Sequence, residues 1–474
     1  MKNFKYIFFL SVLFFAGKVN AQKTVLSLQE CVEMALEKNI SLKQTQLGIL
    51  EAELSKLDAK GSFLPTLNAQ TSHSWNVGLN QNITTGLLEN TTTQYTSLGA
   101  NVNLTLYNGL KNINQLHRAN LSILANQYQL DDMADDVKLL VANAFLQVMF
   151  NKEILTVQES QFKITTEDAR RTKELIEAGV KVKSDILEIE ATLATQEQAL
   201  VQAKNNLRLT KINLAQMLLI TDYENFDIVV EDLDVPISDI LLQTPKEIFE
   251  KALTFRNDIQ LYLTNIEIAK KDISLAKGNL QPSLTAYYGY NSRVSYADRL
   301  AGDGTFRDVP IGFVSGSGDQ VLRSVEQNKV IGPLSFQKQL DNNEGHNFGV
   351  RLSIPIFNGN SIRNNVKRSR VNLLRSENQF EQEKLNLESA INQAYNSALG
   401  AYKFYEAAKK TVLARERTYQ DAINRFDAGV MNSYDFNQIT ERYNNATSDL
   451  VRAKFDYIFK LKVLEFYFGI PITG

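Results

Sequence analysis

The chain has 474 residues but only 8 Pro and 23 Gly, about half the turn-forming complement of average domains, so it must hold few, long elements rather than three ordinary globular units. With 51 Lys+Arg against 53 Asp+Glu the formal net charge is −2, which excludes non-specific nucleic-acid binding through a basic groove. Three histidines (His73, His117, His346) and the single Cys31 cannot furnish a four-ligand zinc site, a redox pair or a disulfide framework, so neither metal nor cofactor is expected.

Residues 1–21 read as an export signal: Lys2 and Lys5, an apolar run from Tyr6 to Ala16, then Val19-Asn20-Ala21 as the cleavage site. Cys31 lies ten residues past that cut with no lipobox before it, so no lipid anchor is expected. Beyond residue 21 the best apolar stretch, Leu139 to Phe150, is broken by Asn143 and Gln147. A membrane crossing would therefore need strands, not helices.

Self-comparison organises the rest. Ala59-Lys60-Gly61 and Pro65 recur as Ala276-Lys277-Gly278 and Pro282, displaced by 217. Tyr107-Asn108-Gly109 recurs as Phe357-Asn358-Gly359, and Ala178-Gly179-Val180 as Ala428-Gly429-Val430, displaced by 250. A first repeat over 22–220, a linker over 221–244 and a second repeat over 245–474 follow, each a helix-strand-strand-helix unit.

Each repeat opens with a helical stretch, from about Leu28 or Pro245 to the glycine stop at Gly61 or Gly278. Strands are expected at about 66–77, 96–107, 283–294 and 347–357, because apolar and polar residues alternate there. Leu67, Ala69, Thr71, His73, Trp75 and Val77 share one face of the first. Leu98, Ala100, Val102, Leu104 and Leu106 do so in the second. The apolar faces carry no charge, whereas Arg293 and Arg351 fall on the polar faces. Ten residues at ~3.3 Å each match a tilted crossing of an apolar band ~25 Å thick. A soluble sheet with one wet face would show the same alternation. The small, nearly uncharged polar side and the export signal favour lipid. Four strands are too few to close a barrel, so several chains must share one, and three would give twelve strands.

Long helices are expected at about 110–178, a run with neither Pro nor Gly, and at its repeat, about 360–428, roughly 100 Å each, returning at about 184–218 and 434–467 to pack as coiled coils. They reverse at the turns holding Gly179-Val180 and Gly429-Val430. Asp185 and Asp435 just beyond each look like the start of a capping box, Asp-x-x-Glu and Asp-x-x-Gln. Three copies of Asp435 around an axis would also repel one another and attract cations. Residues 296–346, with seven glycines, read as a 51-residue outer loop, a lid or contact surface. Cys31 reads as a small core residue. His73 and His346 share a hairpin end without further ligands.

The export signal, the duplicated unit, the proline at strand entry, the Tyr/Phe-Asn-Gly exit and the Ala-Gly-Val turn together resemble the TolC-like outer-membrane efflux protein family over essentially the whole mature chain. The resemblance implies a mainly α protein with membrane β: a homotrimeric 12-stranded barrel continued by a long α-helical coiled-coil barrel, in the outer membrane of a Gram-negative bacterium and extending into the periplasm. It implies an exit duct for efflux or type I secretion, meeting a periplasmic adaptor (membrane fusion) protein and an inner-membrane pump of RND or ABC type. The tips Gly179, Val180, Gly429 and Val430 would dock the adaptor. Asp435 matches a family aspartate of the periplasmic aperture, beside Asp185, while Gln438 replaces a second one. Where a family member closes its tip with Arg and Tyr, this chain has Met431 and Phe426, facing Asp185. Arg293 and Arg351 would line the barrel lumen. A structural or adhesive stalk anchored by a barrel is the alternative, and an enzyme finds no support, since no nucleophile has a His partner and no loop cradles phosphate.

Overall fold

The computed structural model describes residues 24–82, 86–230 and 239–470; the expected export signal and part of the expected linker lie outside them. In chain order the elements are β1 (Thr24–Leu26), α1 (Leu28–Lys38), α2 (Ile40–Gly61), β2 (Thr66–Gln81), β3 (Leu88–Tyr107), α3 (Lys111–Glu177), α4 (Ser184–Met217) and β4 (Phe226–Ile228). A short 3-10 turn at Asp239–Leu242 leads to α5 (Pro245–Phe255), α6 (Asn257–Gly278), β5 (Ser283–Ser295), β6 (Arg299–Phe313), β7 (Gln320–Ile331), α7 (Phe336–Asn342), β8 (Gly345–Ser353), α8 (Ser361–Asp427) and α9 (Ser433–Phe468). The two repeats keep the same lengths, with 11 and 22 residues in α1 and α2 and again in α5 and α6, and 67 in both α3 and α8.

Local chemistry explains these ends. Ser27 and Thr244 cap α1 and α5 through matching boxes with Glu30 and Glu247. The helical stretch expected after each cap is two helices, broken where Asn39 and Arg256 leave helical geometry with ψ of 124° and 132°. At the strand exits Gly109 and Leu110 take φ of 70° and 62°, and Gly359 and Asn360 both take 62°. The Asn-Gly signature thus marks a double left-handed step that redirects the chain from strand to helix.

The chain divides into two compact units. One, described over 24–52, 121–267 and 374–470, is helical apart from the parallel β1–β4 pair, which joins the start of the first repeat to the expected linker region. It holds three apolar clusters, the smallest being Tyr419, Ala422, Phe426 and Phe436. The first gathers Cys31 and Ala35 with Val137, Val141, Leu214 and Phe226. The second gathers Ile248 and Ala252 with Leu387, Ile391, Leu461 and Leu464. Cys31 and Ile248 are displaced by 217, Val141 and Ile391 by 250, so the duplication extends to the packing. Burial pushes the Cys31 thiol up to about 12, consistent with an inert core group.

The other unit, 53–120 and 268–373, carries an antiparallel sheet in the order β2-β3-β5-β8. Its register aligns the expected faces across all four strands. One row runs Leu67, Val102, Tyr288, Phe348 and the next Ala69, Ala100, Tyr290, His346. The other face runs Asn68, Asn101, Gly289, Asn347. Gly289 leaves room there for the Asn347 side-chain oxygen, which a Cβ would meet at 2.0 Å and push aside.

Strand bounds differ from expectation. β2 and β3 extend to Gln81 and back to Leu88, because polar Asn and Thr residues continue the ladder beyond the apolar alternation. β8 stops at Ser353 rather than near 357, since Pro355 offers no N–H to the ladder. The expected outer loop is not a loop: it folds as the β6–β7 hairpin and α7. Its Gly316-Ser317-Gly318 segment is the reversal, with φ of 105° and 74° at the glycines. α7 continues the sheet where β8 has not begun. Gln339 donates to the Ser295 carbonyl at 2.9 Å and accepts from its N–H at 2.8 Å, and Asn343 donates to the Arg293 carbonyl.

Candidate functional site

Two sets of candidate residues emerge, one in each unit. In the helical unit both long rods end in the same left-handed cap. Gly179 (φ 73°) and Val180 donate back to Ile176 and Leu175; Gly429 (φ 74°) and Val430 donate to Phe426 and Arg425. This pattern satisfies carbonyls that the helix end would otherwise leave open. Val180 and Val430 stand exposed beside the glycines.

The expected capping roles of Asp185 and Asp435 are not what the structure shows. α4 starts after Lys183 with no side-chain cap, so Asp185 caps nothing. α9 is capped by Asn432, whose Oδ1 accepts from the Asp435 N–H at 2.7 Å while its Nδ2 donates to the Asp435 carboxylate at 2.9 Å. The N-cap falls three residues earlier than the Asp-x-x-Gln spacing suggests. Asp435 therefore sits at the positive end of the helix with an exposed carboxylate. Asp185 and Asp435 share no hydrogen bond within the chain.

Phe426 faces Lys181 rather than Asp185. The Lys181 ammonium lies 3.1 Å from the Phe426 ring centroid, and Phe426 stacks on Phe436 at 4.3 Å. Burial lowers the Lys181 pKa against the pull of Asp185, Asp427 and Asp168. Arg171 pairs with Asp427 at 3.1 Å, and burial raises the Asp168 carboxyl beside them. A cavity of about 450 Å³ opens next to this cluster, lined by Asp168, Arg171, Tyr419 and Phe426. These contacts join α3 and its turn to α8. Only a position-by-position comparison of facing rods could have found them, because Lys181 and Phe426 lie in different repeats.

Behind the tip the packing turns polar. A cavity of about 490 Å³ is lined by Gln161, Thr165, Gln196, Asn437 and Gln438. Thr172 Oγ1, Gln196 Oε1, Ser433 Oγ and Asn437 Nδ2 are buried without a hydrogen-bond partner. Gln438 lines this space and does not meet Asp435. Such a seam is held together far less tightly than the apolar cores of the same unit.

In the sheet unit Arg293 and Arg351 stand on the face bearing the asparagine row. The Arg293 guanidinium lies 3.9 Å from the Tyr95 ring centroid and Arg351 5.3 Å from Tyr287. Tyr95 thus serves the polar face. The opposite face leaves large apolar side chains bare, with Leu67, Val77, Phe348 and Val350 exposed by 71, 77, 78 and 67%. In one chain β2 and β8 pair on one side only. No described helix is long and apolar enough to cross a membrane, and no described cluster of His, Cys, Asp and Glu could hold a metal ion.

The model of one protein family, described as "Outer membrane efflux protein", matches residues 31–218 and 248–469. The chain is similar to "Outer membrane protein TolC" of Vibrio cholerae serotype O1, at 22% identity over 332 residues, 69% of this chain and 66% of that protein, just under two thirds of its length. It is also similar to "Toxin and drug export protein A" of Aggregatibacter actinomycetemcomitans, at 23% over 450 residues, 91% and 83% of the two chains. Among solved structures, VceC from Vibrio cholerae superposes with a TM-score of 0.70 at 13% identity over 94% of this chain and 96% of that one. The CmeC outer membrane channel of Campylobacter jejuni gives 0.70 at 17% over 93% and 85%. At these identities the structural likeness is one of fold.

Proposed function

Because the chain belongs to the outer membrane efflux protein family, we propose that it is the exit duct of an efflux or type I secretion system, passing substrates from an inner-membrane pump across the periplasm and outer membrane. The observation that carries this reading is the sheet of four strands with two open edges and one face on which Leu67, Val77, Phe348 and Val350 stand exposed. An open edge in lipid leaves backbone groups unpaired at several kcal/mol each, so β8 of one copy pairs with β2 of the next until the ring closes. Three copies give twelve strands, whose asparagine-lined face with Arg293 and Arg351 surrounds an aqueous bore.

In the helical unit, the exposed turns at Gly179-Val180 and Gly429-Val430 dock a periplasmic adaptor, which couples the duct to an RND or ABC pump. Copies of Asp435, held outward by Asn432, ring the aperture with Asp185 nearby, and Gln438 backs them from the polar seam. The contacts of Lys181 with Phe426 and of Arg171 with Asp427 supply the closure that Met431 and Phe426 cannot supply as an Arg–Tyr pair would. The protein performs no chemistry, and its cargo is chosen by the pump.

Reconstitution into planar bilayers tests the reading. Discrete conductance steps are expected, with cation preference reduced in Asp435→Ala channels. Silence from both proteins would contradict the duct and favour an anchored stalk.

A further inference from the structure

The β6–β7 hairpin sorts its charges by face. Its register sets Arg307 opposite Val325 and Val309 opposite Arg323, and the same side carries Arg299 and Lys329. The reverse side carries Phe306 opposite Glu326, Asp308 opposite Ser324 and Pro310 opposite Leu322. Four cations thus stand on one face, Lys329 alone among them within electrostatic reach of Asp303 in the β6 bulge, and two carboxylates, with Phe306 and Leu322, on the other. Lying on opposite sides of one ribbon, they cannot neutralise each other. Among the described residues, Arg307, Arg323 and Asp308 have no ion-pair partner in the chain.

Both faces are open. Phe306 and Leu322 on the acidic side are exposed, as are Val321 and Val325 on the basic side. A lone two-stranded ribbon is at best marginal in water, so a hairpin with this much bare apolar surface needs a cover.

We infer that the basic face of each hairpin seats on the acidic, aromatic face of the hairpin of a neighbouring copy, forming a collar beyond the strand ends; this rests on the three-copy reading above. Such a contact joins two different faces, so it passes from copy to copy in one rotational sense and closes as a ring, as the β8-to-β2 pairing would. A two-fold contact would press like charges together. Anionic lipid phosphate would satisfy the basic face but leave the acidic, aromatic face uncovered, whereas a second copy satisfies both.

The test uses the full-length protein with Val325→Cys, Leu322→Cys, or both. The two positions lie on opposite faces of one strand and cannot bridge within a chain, and Cys31 is buried. Mild oxidation should give covalent trimers from the double variant and single chains from either single variant. Adding Arg307→Glu with Arg323→Glu should lower the covalent yield about tenfold or more, and further adding Asp308→Lys with Glu326→Lys should restore it. Native mass is measured in parallel. A three-copy assembly that yields no covalent trimer and ignores both charge reversals overturns the collar alone, as does release of the hairpin from anionic vesicles by Arg307→Glu with Arg323→Glu. Loss of the three-copy mass in the unmodified protein would instead overturn the duct reading.

Discussion

Gly109 and Gly359 occupy equivalent turns in the two repeats with nearly the same φ, 70° and 62°, yet their surroundings differ. A Cβ on Gly109 would meet the Gly278 carbonyl oxygen at 2.3 Å, whereas one on Gly359 meets nothing within 4 Å. Gly359→Ala should therefore cost only the left-handed backbone penalty, roughly 1–2 kcal/mol. Gly109→Ala carries the same penalty and a backbone clash, so its loss should exceed that of Gly359→Ala by about 1 kcal/mol or more. Thermal denaturation of the solubilised variants decides it, and equal losses would refute the close approach. Around this junction Tyr107 donates to Gln281, and Lys111 to Asn279 at 2.8 Å. The Tyr-Asn-Gly signature was plain in the sequence, but its packing against Gly278 was not, because periodicity says nothing of which glycine meets which carbonyl.

Between elements, the break from α5 to α6 gathers charge against α3. Arg256 pairs with Asp258 at 2.7 Å, both largely buried, and Asn257 donates to Asp135. Asp132 faces this group. Burial first, then Asp258 and Asp136, raise its carboxyl to about 6 despite Arg256, with Asp135 adding to the rise. The folded value lies above the unfolded 3.8, so the folded unit prefers the proton. The penalty is present above pH 6, fades as pH falls through 6 and is gone below 3.8. Stability of the helical unit should thus increase between pH 7.5 and 5, and Asp132→Asn should be the more stable protein at pH 7.5 with a flatter profile. Urea melts across that range check it, and a variant that keeps the slope would remove Asp132 as its source. Helix lengths and turns were legible because a 67-residue run without Pro or Gly has few other solutions. The mid-stretch breaks were not, since Asn39 and Arg256 lie in runs with no Gly or Pro to mark them. The outer hairpin escaped for the opposite reason: its glycines dilute the alternation of Val309, Phe313 and Val325.

At the scale of the whole molecule, the rows that cross the sheet decide what it is. Alternation alone could not separate a membrane strand from a half-wet soluble one. The register does more, placing Leu67 with Val102, Tyr288 and Phe348 in one uninterrupted band. The tip residues were legible as glycine turns but not as a contact set, since Lys181 meets Phe426 only once two rods are laid side by side.

The most direct test is the accessibility of nitroxide labels at adjacent positions of the reconstituted protein. Labels replacing Val102 and Leu352 should collide with oxygen dissolved in the bilayer, and labels replacing Asn101 and Arg351 with a water-soluble nickel chelate. Equal exposure of all four to the chelate would place both faces in water and contradict the account.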